Sequence, residues 1–484
     1  MSWETFLFNH FIQQISSTDK KIVVDKTMLF STGEFADLLD QKGIPFTIVH
    51  SVKALLVSVN GPVNLIIVDQ ADSTFSIPGS IQSSFQIIRV DYESLPFNIE
   101  HGLYRSMPRG DLLKIFNYSL GFPEKLITDT HVDDILEQSL KNSANRRKQE
   151  FEQVFNQFIH HTEKNAYDDI LYVGQCWGRY VFDCFQTAHP PDMNLLRDID
   201  AKVLEIILHG GLKNLPFEMV SAFKSVERIC GYLKSCNYEK KAILCFDGMG
   251  WAEWFLIKDC FVEMFDVDLI EKPIFSMIPS TTKISRSAIF SGNLNEVYQK
   301  SYPNEHKSFS ENFDHAQLFK NNNPITEDSI LGYKTIAKIY NLFDETAHKT
   351  ILKSHDLSKN TYFHIIKQYL RQTAIFREVK ILLNNGFHIY ICSDHGCTAA
   401  KGNGHKIEKY LIDSYSKRGT IIRKNSFLSN DDYIRYPVPV AGNPTVILAP
   451  PGEMFDYMSA CELTHGGTGV EEIVIPFIEI EEMH

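Results

Sequence analysis

Three textures of apolar and polar positions follow one another along the chain. Over residues 1–125, short β-branched runs alternate with amphipathic stretches. Lys21–Asp25, Phe46–Val49, Asn64–Asp69 and Phe85–Asp91 read as strands, and Gly33–Gln41 as a helix. Strands alternating with helical patterns predict a small α/β domain with a parallel sheet. Over 126–238 the period changes to that of helices: Val132, Ile135, Leu136, Leu140, then Phe151, Val154, Phe155, Phe158. Pro190-Pro191 interrupts it, and helices resume over Leu195–Leu208 and Phe217–Leu233. Over 239–484 apolar runs return, and most of them end in polar groups. Ala242–Phe246, Ile336–Phe343, Phe387–Cys392, the NPTVILAP run and Ile473–Ile480 read as strands, with helices over Ile284–Phe290 and Asn360–Asn385. The expected fold is therefore α/β throughout, with a helical region between two α/β domains.

Composition narrows the class of protein. With 484 residues the chain is too long for one core. Apolar content of 44% and charged content of 22% are those of an ordinary globular protein. A net charge of −12 argues against bulk nonspecific nucleic-acid binding. Nine cysteines without CxxC spacing suit a reducing cytoplasm. The first residues, MSWETFLFNHFIQQI, lack a basic leader and a small-residue cleavage site, so they read as an amphipathic docking helix. No apolar run reaches the length of a membrane span. Asp25 and Asp69 each end a strand, and read as caps.

The chemistry lies at the strand ends of the third segment. Asp247 closes one run, and Gly248 and Gly250 keep the next turn open. Thr281 and Thr282 start a helix, where one hydroxyl has to choose between capping the amides and facing an anion. Asp344 and His348 are four apart, on one face of a helical turn. Asp394-His395 ends the Phe387–Cys392 strand, and His465 precedes Gly466-Gly467. In open α/β sheets ligands bind at such strand ends. Three carboxylates, three imidazoles and a hydroxyl are suited to two divalent ions beside a nucleophile. Lys283, Arg286, Lys401 and Lys406 flank these positions as candidate substrate-binding groups, and His405 is a further candidate there, as a ligand or an acid.

The pieces FDGMG, PSTTKISRSAIFSG, DETAH, SDHG and HGGTGVEEIVIP resemble the alkaline phosphatase superfamily, and within it the PglZ-domain proteins of BREX-type phage-exclusion loci and related bacterial systems. The resemblance spans about 240–480. It implies a three-layer α/β/α catalytic domain at 239–484, after the small α/β domain and the helical region. Carried over, it puts one ion on Asp344, His348 and His465, and a second on Asp247, Asp394, His395 and the Thr282 hydroxyl, with Thr282 as nucleophile. Zinc is the implied metal, with manganese as the alternative. The implied function is metal-dependent hydrolysis of a phosphodiester (nucleotide, cyclic nucleotide or nucleic acid) in the bacterial cytoplasm, beside other proteins of a defence operon. Two alternatives stay open: a non-catalytic scaffold that docks such proteins, and a phosphomonoesterase. No Cys/Ser-x-Pro-x-Arg motif is present, which disfavours sulfate esters.

Overall fold

The computed structural model describes residues 2–12, 20–69, 77–160, 166–209, 223–265, 267–298, 304–352, 357–370, 372–405, 407, 416–422, 433–438, 440, 442 and 444–482. Contacts gather the chain into two compact units, residues 1–143 and 144–484. None of the described helices is long and apolar enough to cross a membrane.

In the first unit, β1 (Lys21–Asp25), β2 (Phe46–Val49), β3 (Leu65–Asp69) and β4 (Gln86–Val90) form a parallel sheet in the order β2-β3-β1-β4. β1 is buried along its whole length because both faces are covered: Val23 packs into one core, Ile22 and Val24 into another. The N-terminal stretch forms a helix at Trp3–Leu7 and a π-turn at Phe8–Ile12, which bury Trp3, Leu7, Phe8 and Ile12. Asp25 caps the loop after its strand. It accepts hydrogen bonds from Thr27 N (2.9 Å), Thr27 Oγ1 (2.6 Å) and Phe30 N (2.7 Å).

The second unit is built on six strands. These are β5 (Lys241–Phe246), β6 (Val267–Phe275), β7 (Ala316–Phe319), β8 (Thr335–Tyr340), β9 (His388–Ser393) and β16 (Val474–Glu482), in the order β6-β16-β9-β5-β8-β7. Between β9 and β16 come β10 (Thr398–Gly402), β11 (Gly419–Ile422), β12 (Ile434–Pro437), β13 (Thr445–Leu448), β14 (Glu453–Met454) and β15 (Cys461–Thr464), which make two small three-stranded sheets. In the main sheet β5, β7, β8 and β9 are parallel, and β16 runs antiparallel to both its neighbours. Helices cover both faces, which explains the unbroken apolar runs. Ala242, Leu244 and Phe246 face one core, together with residues of the helices Ala166–Gln186, Trp251–Phe265 and Ile375–Asn384. Ile243 and Cys245 face the other, with the helices Ile229–Ser235 and Thr282–Ser291. This is a three-layer α/β/α arrangement.

Three elements differ from the sequence reading. The strand expected over Ile336–Phe343 stops at Tyr340, and Phe343 belongs to the helix Leu342–Lys349. Phe343 is buried in both cases, so apolar character did not mark the change of period. The single helix expected over Asn360–Asn385 is two, Asn360–Leu370 and Ile375–Asn384. Thr373 Oγ1 donates to the Leu370 carbonyl at 2.8 Å, and Gln372 N to Tyr369 O at 2.8 Å, which turns the chain at the break. Of the helix expected at Phe217–Leu233, residues 217–222 lie outside the described residues; the rest is a 3₁₀ turn at Val226–Arg228 and the helix Ile229–Ser235.

At the rim formed by the ends of β5 and β9, backbones meet where only glycine fits. A Cβ on Gly396 would stand 2.0 Å from the Glu471 carbonyl oxygen and 3.2 Å from Gly250 Cα. Since these atoms are backbone, relief requires the rim loops to shift. Gly396→Ala is expected to cost at least about 1–3 kcal/mol in a denaturant unfolding series. An unchanged midpoint would show that the rim loops are not pinned there.

Candidate metal centre

The sheet topology sets out the candidate residues. Asp247 follows β5, and Asp394 and His395 follow β9. Asp344 and His348 lie on the helix Leu342–Lys349 just after β8. Thr282 opens the helix Thr282–Ser291 after β6. His465 lies between β15 and β16. Because β16 is antiparallel, its beginning reaches the same rim where the parallel strands end.

The seven residues form two neighbouring donor sets with a hydroxyl at one of them. Asp344, His348 and His465 form one set, and Asp247, Asp394 and His395 the other; within each, the donor atoms lie within 4.8 Å of one another. His348 Nε2 is 3.0 Å, and His465 Nε2 3.7 Å, from Asp344 Oδ1. His395 Nε2 is 3.4 Å from Asp247 Oδ1 and 3.9 Å from Asp394 Oδ1. The rings of His395 and His465 stack with centroids 3.8 Å apart, so the sets are adjacent. Thr282 Oγ1 lies 2.8 Å from His395 Nε2. Thr281 is the N-cap residue, with no side-chain capping bond, and the Thr282 oxygen is turned to the imidazole.

The rings are oriented from behind. His465 Nδ1 is 3.0 Å from the Ser280 carbonyl, and His395 Nδ1 3.1 Å from that of Gly396. A carbonyl can only accept, so each Nδ1 carries its hydrogen and Nε2 faces the carboxylates. Burial, then His395, push His465 down to about 3, which keeps it neutral. Burial would hold Asp247 up, but His395 and Arg286 bring it below the usual carboxylate range. Burial and the Asp247 carboxylate push Asp394 up. Arg286, one turn beyond Thr282, places Nη2 3.1 Å from Asp247 Oδ2 and Nε 3.5 Å from Asp394 Oδ2. Its Nε is also 3.3 Å from Glu305 Oε1. One guanidinium thus faces several carboxylates. Asp247 Oδ1 and Asp394 Oδ2 are buried and accept no hydrogen bond. Buried carboxylate oxygens that accept no hydrogen bond, in sets that each include an imidazole, form a donor arrangement that fits a divalent cation.

The profile of the BREX system PglZ alkaline phosphatase-like domain matches residues 227–480, more than half of the chain. The chain belongs to the PglZ family. No curated protein matches it. Among solved structures, the murine ectonucleotide pyrophosphatase/phosphodiesterase 5 is similar at 13% identity and TM-score 0.33, over 50% of this chain and 88% of that one. An inactive form of the murine protein in complex with AMP is similar at 13% identity and TM-score 0.34, with the same shares covered. The human counterpart is similar at 13% identity and TM-score 0.32, over 50% of this chain and 87% of that one.

Within the PglZ domain the flanking basic residues take different places. Arg286 joins the cluster, through the carboxylates. Lys283 is exposed at the start of its helix. Lys401 pairs across β10 with Cys461 and Glu453. The ring of His405 lies 6.0 Å from that of Tyr433. Lys406 lies outside the described residues.

Other groups that support the site escaped the sequence reading. Arg418 Nε is 3.0 Å from Glu472 Oε2, both buried. Glu472 accepts from Gly467 N at 2.7 Å and Gly469 N at 3.0 Å, and Asp200 Oδ1 from Val470 N at 2.9 Å. Together they fix the Gly-rich loop that carries His465, and Asp200 ties it to the helix Met193–Leu208. Lys359 Nζ lies between Glu253 Oε1 (3.2 Å) and Glu471 Oε1 (3.3 Å) and donates to the Cys397 carbonyl. Cys397 Sγ is 4.0 Å from Asp344 Oδ1. These residues are far apart in sequence, and no local spacing joins them. Glu471 and Glu472, inside the HGGTGVEEIVIP piece, were the one available signal.

Proposed function

We propose that this PglZ domain is a metal-dependent phosphodiesterase with Thr282 as its nucleophile, acting on a nucleotide, cyclic nucleotide or nucleic-acid diester. The observation that carries the reading is the pair of three-donor sets, joined by the His395–His465 stack, with the Thr282 hydroxyl 2.8 Å from His395. Asp344, His348 and His465 would hold one ion, and Asp247, Asp394, His395 and Thr282 the other. Two bound divalent ions, zinc or manganese by this donor set, supply Lewis-acid stabilisation of the attacking and leaving oxygens. Thr282 Oγ1 attacks phosphorus, an O–P bond forms, and the ester P–O bond to the departing alcohol breaks. The hydroxyl proton ends on that alcohol. Water then cleaves the phosphothreonine, which restores the hydroxyl and releases the phosphate product. Nucleophile and donors sit at a buried rim, where fixed charges act strongly on a developing negative charge.

The reading keeps residues 239–484 as the catalytic segment. It gives the small α/β segment (1–125) and the helical region (126–238) a docking role toward other proteins of a bacterial defence system, in the cytoplasm. The test is hydrolysis of bis-p-nitrophenyl phosphate by the full chain. Turnover is expected with zinc or manganese, to be removed by a chelator and restored by metal. Metal-loaded protein that turns over neither this diester nor the monoester overturns the reading; faster monoester hydrolysis makes the protein a phosphomonoesterase.

A further inference from the structure

Cys397 is fully buried and three residues beyond Asp394. Its Sγ, a ring nitrogen of His395 and an oxygen of Asp344 lie within 4.8 Å of one another. Asp344 belongs to one of the two donor sets and His395 to the other, so the thiol faces the gap between them. The backbone behind it is held in place. The Cys397 carbonyl accepts from Lys359 Nζ at 2.5 Å, and the next side chain, Thr398, donates to Glu471 Oε2 at 2.7 Å. Among the described residues, none of the other eight cysteines falls in a group of metal-ligating side chains.

The distances suit coordination. Sulfur and oxygen ligands of a tetrahedral zinc ion, at about 2.3 Å and 2.1 Å from the metal, are ~3.6 Å apart. Cys397 Sγ and Asp344 Oδ1, at 4.0 Å, are within a few tenths of an ångström of that. Asp247 Oδ1 and Asp394 Oδ2, at the same rim, are buried and accept no hydrogen bond, although His395 and Arg286 lie 3.4 and 3.5 Å from them.

We propose that Cys397 supplies a thiolate ligand beside Asp344 and makes the centre selective for zinc over manganese and magnesium. The proposal rests on the two-metal reading above and adds a donor to it. On loading, the S–H bond gives way to a sulfur–metal bond and the proton leaves to the buffer. A soft sulfur donor favours zinc or cobalt, whereas a set of only carboxylates, hydroxyl and imidazole also suits manganese.

The experiment is a cobalt titration of the full chain followed by absorbance, beside zinc and manganese affinities measured by calorimetry. Wild-type protein is expected to bind two cobalt ions with a near-ultraviolet thiolate-to-metal charge-transfer band. Cys397→Ser and Cys397→Ala are expected to lose that band, to bind zinc about tenfold or more weaker, and to bind manganese within twofold of wild type. Melting of the metal-free variants checks that they fold, and the wild-type spectrum stands whether or not they do. Two cobalt ions bound without the band, or a band that survives in both variants, overturns the thiolate and leaves the two-metal reading intact. A wild-type chain that binds no cobalt, zinc or manganese overturns both.

Discussion

Alanine at position 282 is expected to lower kcat on a diester by about 10⁴-fold or more, with metal content and melting temperature close to wild type. The size follows from removal of a nucleophile, where residual turnover comes from binding and electrostatics alone. The structure separates this loss from a folding defect. Thr282 is half-buried at the first helical position, the N-cap role belongs to Thr281, and alanine is the strongest helix former. In the metal-free chain the loss is the 2.8 Å contact with His395, a hydrogen bond of about 0.5–1.5 kcal/mol, and in the loaded chain Asp247, Asp394 and His395 remain to hold the ion that Thr282 would share. Thr282→Ser should retain part of the rate. If Thr282→Ala hydrolyses the diester at the wild-type rate with metal bound, the nucleophile is another group, and the assignment of Thr282 falls.

Asp344→Asn is expected to have the other large effect. Asp344 Oδ1 is the atom on which His348, His465 and Cys397 converge, at 3.0, 3.7 and 4.0 Å. Burial raises this carboxyl, and the neighbouring histidines more than reverse that, holding it well below the usual range. It is therefore a charged donor at a point where the amide offers only a weak neutral oxygen. Metal analysis of the purified variant should give one ion per chain instead of two. Affinity for the lost ion should fall by more than about 100-fold, since outer-shell changes alone cost 10–100-fold. The second set, Asp247, Asp394 and His395, should keep its ion. Full stoichiometry with unchanged affinity would remove Asp344 from the centre.

Much of the architecture could be read directly because strands buried on both faces appear as plain apolar runs. Ala242–Phe246 and Phe387–Cys392 were legible for that reason, and the polar residues after them were conspicuous as strand-end groups. The Asp344–His348 spacing carried its own helical geometry. Where two elements share the same apolar character, the join is marked only weakly, here by the single polar residue Asn341 before the helix Leu342–Lys349. Leu342 and Phe343 extend the apolar look of β8 although they already belong to the next helix. The turn at Gln372 and Thr373 depends on a side-chain hydroxyl reaching one carbonyl, which periodicity does not register. Cys397 looks like any small core residue until the chain is folded and its sulfur is seen against Asp344. Arg418, Glu472 and Asp200 meet only through tertiary structure, across more than 200 positions between Asp200 and Arg418.

The antiparallel strand β16 lies between β6 and β9, yet it is the latest of the six in sequence. While the chain is being made, β6 and β9 each wait with an open row of backbone amides and carbonyls. Such rows invite pairing with other chains. Only when the segment after His465 slots into the sheet is the gap closed and the last imidazole brought to the rim. Nascent or C-terminally clipped chains would therefore lack a complete donor set and be prone to stick together, so the same zipper step that protects the sheet also assembles the rim.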